Sequence, residues 1–270
     1  MSCPSSTLVM WVAAWLAGSS SPDDVIDAVQ AWAPMHLVGA VDAEVAVQWD
    51  LPWPDPEDAG PVLLLRALRR LATEDPEATV ALVLPAPGDV RGLPLGTAFA
   101  GAAIESGQGV LVGAAGRPGL GMVPTVDGPD VLRWTVFPVP STPLQGEQIG
   151  LGEAEFELRR TVTEAAEALT SMQGGYAADA GDPRTRIAEA MAEFSHHSYP
   201  ESTPARALRI FDTADQVAAI LTVAGDSGGR AQTAAGAAAR EETLRPLWSA
   251  VRRARLGAVS ASVRAATSPR

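Results

Sequence analysis

Residues 78–84 read Ala-Thr-Val-Ala-Leu-Val-Leu, without a charge, and stop at Pro85. A short apolar run bounded by a turn residue is the pattern of a buried strand. The flanks set its context. Upstream, residues 61–72 read as an amphipathic helix with Arg66, Arg69 and Arg70 on the wet side. Downstream, Pro94 opens a helical pattern over residues 95–105, and Gly107 lies just past its end. Residues 109–112, 122–126 and 131–139 read as three further strands, the last (Val-Leu-Arg-Trp-Thr-Val-Phe-Pro-Val) with period-two character. Residues 36–41 and 45–49 each read as a short strand. Strands alternating with helices, then hairpin-connected strands, imply an α/β sandwich with a mixed sheet.

Outward from this core, the chain begins as a helical hairpin. Leu8, Trp11, Val12, Trp15 and Leu16 recur at helical spacing, and Gly18-Ser19-Ser20 breaks the pattern. Ser21 is then the expected N-cap, Pro22 the first helical residue and Asp24 the acid of a capping box. Val25, Ile26, Val29 and Trp32 supply the second apolar face, and Pro34 ends it. Residues 51–56 hold three prolines and must run extended or turn-like. Past Pro138 the composition shifts: Pro140, Pro143, Gly146, Gly150 and Gly152 mark a linker, and strand signals stop. Helical patterns follow over residues 153–172, 185–194, 205–224 and 240–266, with breaks at 173–183 and 226–229. The expected organisation is an α/β domain over 1–140 that includes the hairpin, a linker over 141–152, and a helical-bundle domain over 153–270.

The charge balance is 20 basic against 32 acidic residues, a net −12, and every basic residue is arginine. Lysine and asparagine are absent; both need A-rich codons, which points to a high-GC genome. Residues 1–65 carry nine acids and no basic side chain, whereas residues 240–270 carry seven arginines and two acids. Such polarity suits contact of one end with the other or with a charged partner. A single cysteine, Cys3, excludes an intramolecular disulfide and a cysteine-based metal cluster. The apolar run at residues 8–16 lacks the preceding Lys or Arg of a secretory signal and falls short of the roughly 18 residues of a membrane span. The expectation is a cytoplasmic protein with no membrane contact.

Residues 85–94 (Pro-Ala-Pro-Gly-Asp-Val-Arg-Gly-Leu-Pro) are the first candidate site. Ligands in open α/β sheets bind beyond the carboxyl ends of strands, so Gly88, Asp89, Arg91 and Gly92 are the candidate ligand-binding residues. The competing reading is a tight connection with both charges solvated. The glycine-rich segment 113–121 has the wrong spacing for a dinucleotide fingerprint and a strand after it, so it reads as a hairpin loop. A Walker A motif is excluded by the lack of lysine. His196-His197 reads as a polar helix end, since adjacent histidines do not chelate one metal at ordinary zinc spacing. Arg206, Arg209, Asp212 and Asp215, at spacings of three, describe an ion-paired helix surface, or a site if that face is buried.

Five of seven tryptophans lie in the first fifth of the chain. They pack against the sheet or, with Trp11, Trp15, Trp32 and Trp53 exposed, anchor a partner. Arg245, Arg252, Arg253 and Arg255 form the basic face of the last helix. Nucleic acid would want such a face, but the net charge opposes it.

The pieces Leu82-Val83-Leu84-Pro85-Ala86-Pro87-Gly88-Asp89, Gly119-Leu120-Gly121 and Leu244-Arg245-Pro246-Leu247 resemble an uncharacterised group of actinobacterial proteins. The resemblance implies an actinobacterial source and carries over no functional residue. No catalytic residue, metal ligand or cofactor is assigned. The expected function is protein–protein contact, with a protein partner or by self-association. The alternatives are an enzyme or small-molecule binder using an interdomain cleft near residues 85–94, and nucleic-acid binding through the last helix.

Overall fold

A computed structural model describes residues 3–56, 60–144, 146, 149–173, 183–194, 197–226 and 234–268. Among them the elements run α1 (Pro4–Leu16), α2 (Pro22–Gln30), β1 (Met35–Ala40), α3 (Ala43–Trp49), α4 (Val62–Glu74), β2 (Thr79–Val83), α5 (Ala98–Ser106), β3 (Gly109–Gly113), β4 (Gly119–Val126) and β5 (Val131–Val139). Four helices follow: α6 (Leu151–Gln173), α7 (Pro183–Phe194), α8 (Ala205–Asp226) and α9 (Ala234–Thr267). The fold is α/β with a mixed sheet, joined to a helical region. The sequence breaks at 174–182 and 227–229 lie outside the described residues.

The sheet has the order β1-β5-β4-β3-β2. β2 to β5 pair antiparallel as a meander, and β1 joins β5 in parallel, with Met35 opposite Val131 and Ala40 opposite Val136. Alternation along the strands separates two faces. One packs on α5 through Val83, Phe99, Leu111, Val123, Phe137 and Val139. The other carries Val38, Val110, Val112, Leu120, Met122 and Trp134, all buried, beneath the α1–α2 hairpin side.

Phe99 explains two glycines. A Cβ at Gly121 would overlap its ring, and one at Gly109 would press on its outer carbons. Since Gly109 and Gly121 lie on neighbouring strands, they form a flat floor on which the ring rests. Gly113 and Gly119 leave a similar gap, filled by the Thr142 side chain. The glycine-rich segment is therefore the β3–β4 hairpin with its loop, tied by the Gly116 N–H to the Thr142 carbonyl.

The capping box at α2 forms as read: Ser21 Oγ accepts from the Asp24 N–H at 3.1 Å, and Asp24 accepts from the Ser21 N–H at 2.7 Å. Two local readings need correction. Residues 43–49 are a helix and not a strand. Asp42 caps it by accepting from the Val45 N–H at 2.9 Å, and Asp50 ends it in the left-handed region at φ 53°. The Val45-Val47-Trp49 alternation mimics a strand, yet only Val45 and Trp49, four apart, are buried, while Val47 is 87% exposed. α5 starts at Ala98, later than read, because Thr97 is its N-cap and accepts from the Ala100 N–H. Leu95 is left in the preceding turn.

Two compact units divide the chain. One comprises residues 3–147, 197–203 and 259–270; the other comprises 148–196 and 204–258. The sheet unit thus takes in a short segment after α7 and the last turns of α9, which follow the linker in sequence. In the helical unit, α8 packs on α6 and α7, burying Ile210, Phe211, Val217 and Leu221 with Leu158 and Ala165.

Candidate functional site

The 85–94 loop folds on itself. Ala86 and Asp89 exchange two backbone hydrogen bonds at 3.0 and 2.8 Å, with Gly88 at φ 81° making the turn between them. Asp89 then accepts from its neighbour Arg91 twice through the guanidinium, at 2.9 and 2.6 Å, and once through the backbone N–H. Asp89 raises the Arg91 pKa through those bonds and its charge. Gly92, at φ 79°, makes the second turn. The four candidate residues are together, but their charges are spent on one another.

The tryptophans of the sheet unit are mostly engaged. Trp15 is buried with the Arg69 guanidinium 4.7 Å above its ring, and Trp49 lies under Arg70 at 5.2 Å. Trp32 donates to Thr7 Oγ1 at 3.0 Å and stacks on His197, with ring centroids 3.6 Å apart. Trp11 donates to the Ser198 carbonyl at 3.2 Å. His197 and Ser198 thereby lie against the helical hairpin. Trp134 is fully buried and donates to His36 Nδ1 at 3.1 Å, which requires that nitrogen to be unprotonated. Trp53 alone of the proposed anchors is broadly exposed, at 50%. His196 lies outside the described residues, and no group of three potential metal-ligating side chains is found among those described.

α5 has an outward-facing apolar side. Phe99, Ala100 and Ala103 face the core, yet the opposite side bears Ala98, Gly101 and Ile104. Ile104 is 51% exposed, Leu95 in the turn ahead is 66% exposed, and the helix has one charge, Glu105. A helix apolar on both sides is normally covered on both.

In the helical unit, α9 spends its arginines on carboxylates. Arg253 pairs with Glu157 of α6 at 3.2 Å, Arg245 with Glu241 four residues earlier, and Arg255 with Asp215 of α8 at 2.5 Å. Burial pulls the Arg255 pKa down to about 9, so the group is still charged at neutral pH and needs that carboxylate. Arg252 is half-buried and also engaged.

On α8 the ion pairs are not the ones the spacing suggests. Arg206 bonds across to Glu155 of α6 at 2.8 Å, and Glu155 takes Arg159 on its other oxygen at 2.6 Å. The hydrogen bond from Arg206 is the main force holding the Glu155 pKa below its usual value, with the charges of Arg159, Arg206 and Arg209 adding to it. Gly152 permits this, because a Cβ there would touch the Arg206 guanidinium. Glu155, Leu158, Arg159, Arg209, Ile210, Asp212 and Thr213 line a cleft of about 300 Å³ between α6 and α8. Glu155 and Glu157 escaped the sequence reading. The Glu155-to-Arg159 spacing of four was visible as a helix pair, but the cross-helix bonds had no local signal.

Residues 5–147 match the family described as the N-terminal domain of Rv1486c-like protein, and residues 152–256 match its C-terminal domain. The chain is 39% identical to the uncharacterized protein Rv1486c of Mycobacterium tuberculosis (strain ATCC 25618 / H37Rv), over 98% of this chain and 99% of that one. It is 36% identical to the uncharacterized protein ML1804 of Mycobacterium leprae (strain TN), with the same coverage. No solved structure matches.

Proposed function

The chain belongs to the Rv1486c-like family over both of that family's domains, and from that premise we propose a non-catalytic cytoplasmic protein that works by protein–protein contact, first of all with a second copy of itself. One observation carries this reading: the uncovered apolar side of α5, with Ala98, Gly101 and Ile104 open to solvent on a helix whose inner side is already packed, and Leu95 exposed in the turn ahead of it. Burying such a surface is favourable at about 25 cal/mol per Å² of apolar area. Two copies each carrying a net −12 repel, and a face with one carboxylate is where they meet at least electrostatic cost. The small residues Ala98 and Gly101 let a second helix approach closely.

The absence of any His, Cys or Lys at the 85–94 loop and the closed Asp89–Arg91 pair favour contact over catalysis there. Nucleic-acid binding has less to draw on, since Arg245, Arg253 and Arg255 are held by carboxylates.

Light scattering of the full chain across a concentration series tests the proposal. The native chain should dimerise, and Leu95→Glu with Ile104→Glu should leave a monomer with unchanged circular dichroism. A native monomer throughout, or a dimer indifferent to both substitutions, overturns it.

A further inference from the structure

Gly101 lies inside α5, although only proline is a poorer helix former than glycine. Phe99 accounts for Gly109 and Gly121, but nothing in the chain accounts for Gly101. It is exposed, its φ is not in the left-handed region, and a Cβ there would meet no described atom within 4 Å. Its own fold would accept alanine at no steric cost. Glu105, the one charge of the helix, stands four residues on and so on the same outward side. It forms no ion pair or hydrogen bond with a described residue. At the opposite end, the Ala98 and Phe99 N–H groups have no acceptor among the described residues, as is usual in a first turn.

On the premise of self-association through α5, we infer that two copies meet with their α5 helices antiparallel, crossing at Gly101 on a two-fold axis. With no side chain at the crossing, the backbones approach to the lower end of the roughly 8–10 Å that separates packed helices. About such an axis, residues equally far to either side of Gly101 become neighbours. Ala98 of one copy faces Ile104 of the other, small against large, and Thr97 faces Glu105. The Glu105 carboxylate then lies at the other copy's helix N-terminus, where free N–H groups and the positive end of the dipole favour an acid. A parallel arrangement does the reverse, because each residue meets its own copy and Glu105 meets Glu105. Charge thus selects the antiparallel sense, and the glycine selects the crossing point.

Disulfide cross-linking of the full chain under mild oxidation tests the arrangement, with the native chain as control because Cys3 is buried. In the antiparallel sense, like positions at 98 or at 104 are about 9 Å apart along the axis, beyond disulfide reach. A mixture of Ala98→Cys and Ile104→Cys chains should therefore give at least about tenfold more covalent dimer than either variant alone. Gly101→Ala should weaken the dimer about tenfold or more by crowding the crossing, yet raise the melting temperature of the Leu95→Glu, Ile104→Glu monomer. Glu105→Gln should weaken the dimer roughly threefold or more at low salt. Each variant cross-linking to itself as well as the mixture does, native dimer affinity in Gly101→Ala, or a tighter dimer in Glu105→Gln overturns the inference. Where the native dimer still dissociates on Leu95→Glu with Ile104→Glu, those results leave self-association through α5 standing. A native chain that stays monomeric removes both.

Discussion

Arg255 of α9 and Asp215 of α8 form an ion pair at 2.5 Å with side-chain exposures of only 7% and 11%. Two charges are thus taken out of water in a helical unit whose other α9 pairs are more open. Removing one partner leaves the other buried and unpaired, at about 3–5 kcal/mol. Asp215→Ala should therefore unfold the helical unit at markedly lower denaturant. Asp215→Leu combined with Arg255→Met should recover most of that loss. Urea titration followed by circular dichroism separates the two, and equal loss in both variants would count against the pair as described.

Phe99 resting on Gly109 and Gly121 gives a steric prediction. Gly121→Ala drives a methyl into the ring and should cost about 1–3 kcal/mol, as overpacking does. In a Phe99→Leu background the same substitution should cost clearly less. Additive effects in this double-mutant cycle would show that the two residues do not touch.

The Trp134–His36 hydrogen bond joins β5 to β1 inside the core. His36→Leu strips the buried indole N–H of its acceptor, a loss of about 1–3 kcal/mol. Unfolding monitored by tryptophan fluorescence should show it. A stability equal to the native value would remove this bond from the account of why β1 docks in parallel.

Glu155 supplies a pH signature. Its folded pKa lies below the ordinary glutamate value, chiefly through the hydrogen bond from Arg206. Its contribution is therefore complete above the unfolded pKa and is lost as pH falls through the lower folded value. Melting temperature against pH should drop more steeply below that point in the native chain than in Glu155→Gln. Parallel curves would refute the linkage.

At α2, Ser21→Ala removes the acceptor for the Asp24 N–H and should cost about 1 kcal/mol, read from the denaturation midpoint. Little change would mean that the cap is satisfied by water instead.

Much of this protein was legible because its signals are local. The Ser21-Pro22 start of α2, the glycine in the left-handed region at 107 that ends α5, and the strand at Val131–Val139 each depend on groups within a few residues. The same locality misled at residues 43–49, where alternation in so short a segment mimics a strand and the Asp42 cap decides for helix. Trp15 and Trp32 were readable as apolar, but whether they face the core or a partner was not. Arg69 and His197, 54 and 165 residues away in sequence, complete their packing.

The opening run at residues 78–84 shows where the division falls. Composition and period settle that it is a buried strand, because backbone propensity and the spacing of apolar side chains are properties of the chain itself. Its place at the sheet edge, β1 inserted beside β5, Arg206 reaching Glu155 and Arg255 reaching Asp215 are not such properties. They follow from which distant surfaces pack together and which charges that packing removes from water. A desolvated charge takes whatever opposite partner the tertiary arrangement brings within reach, irrespective of its distance along the chain.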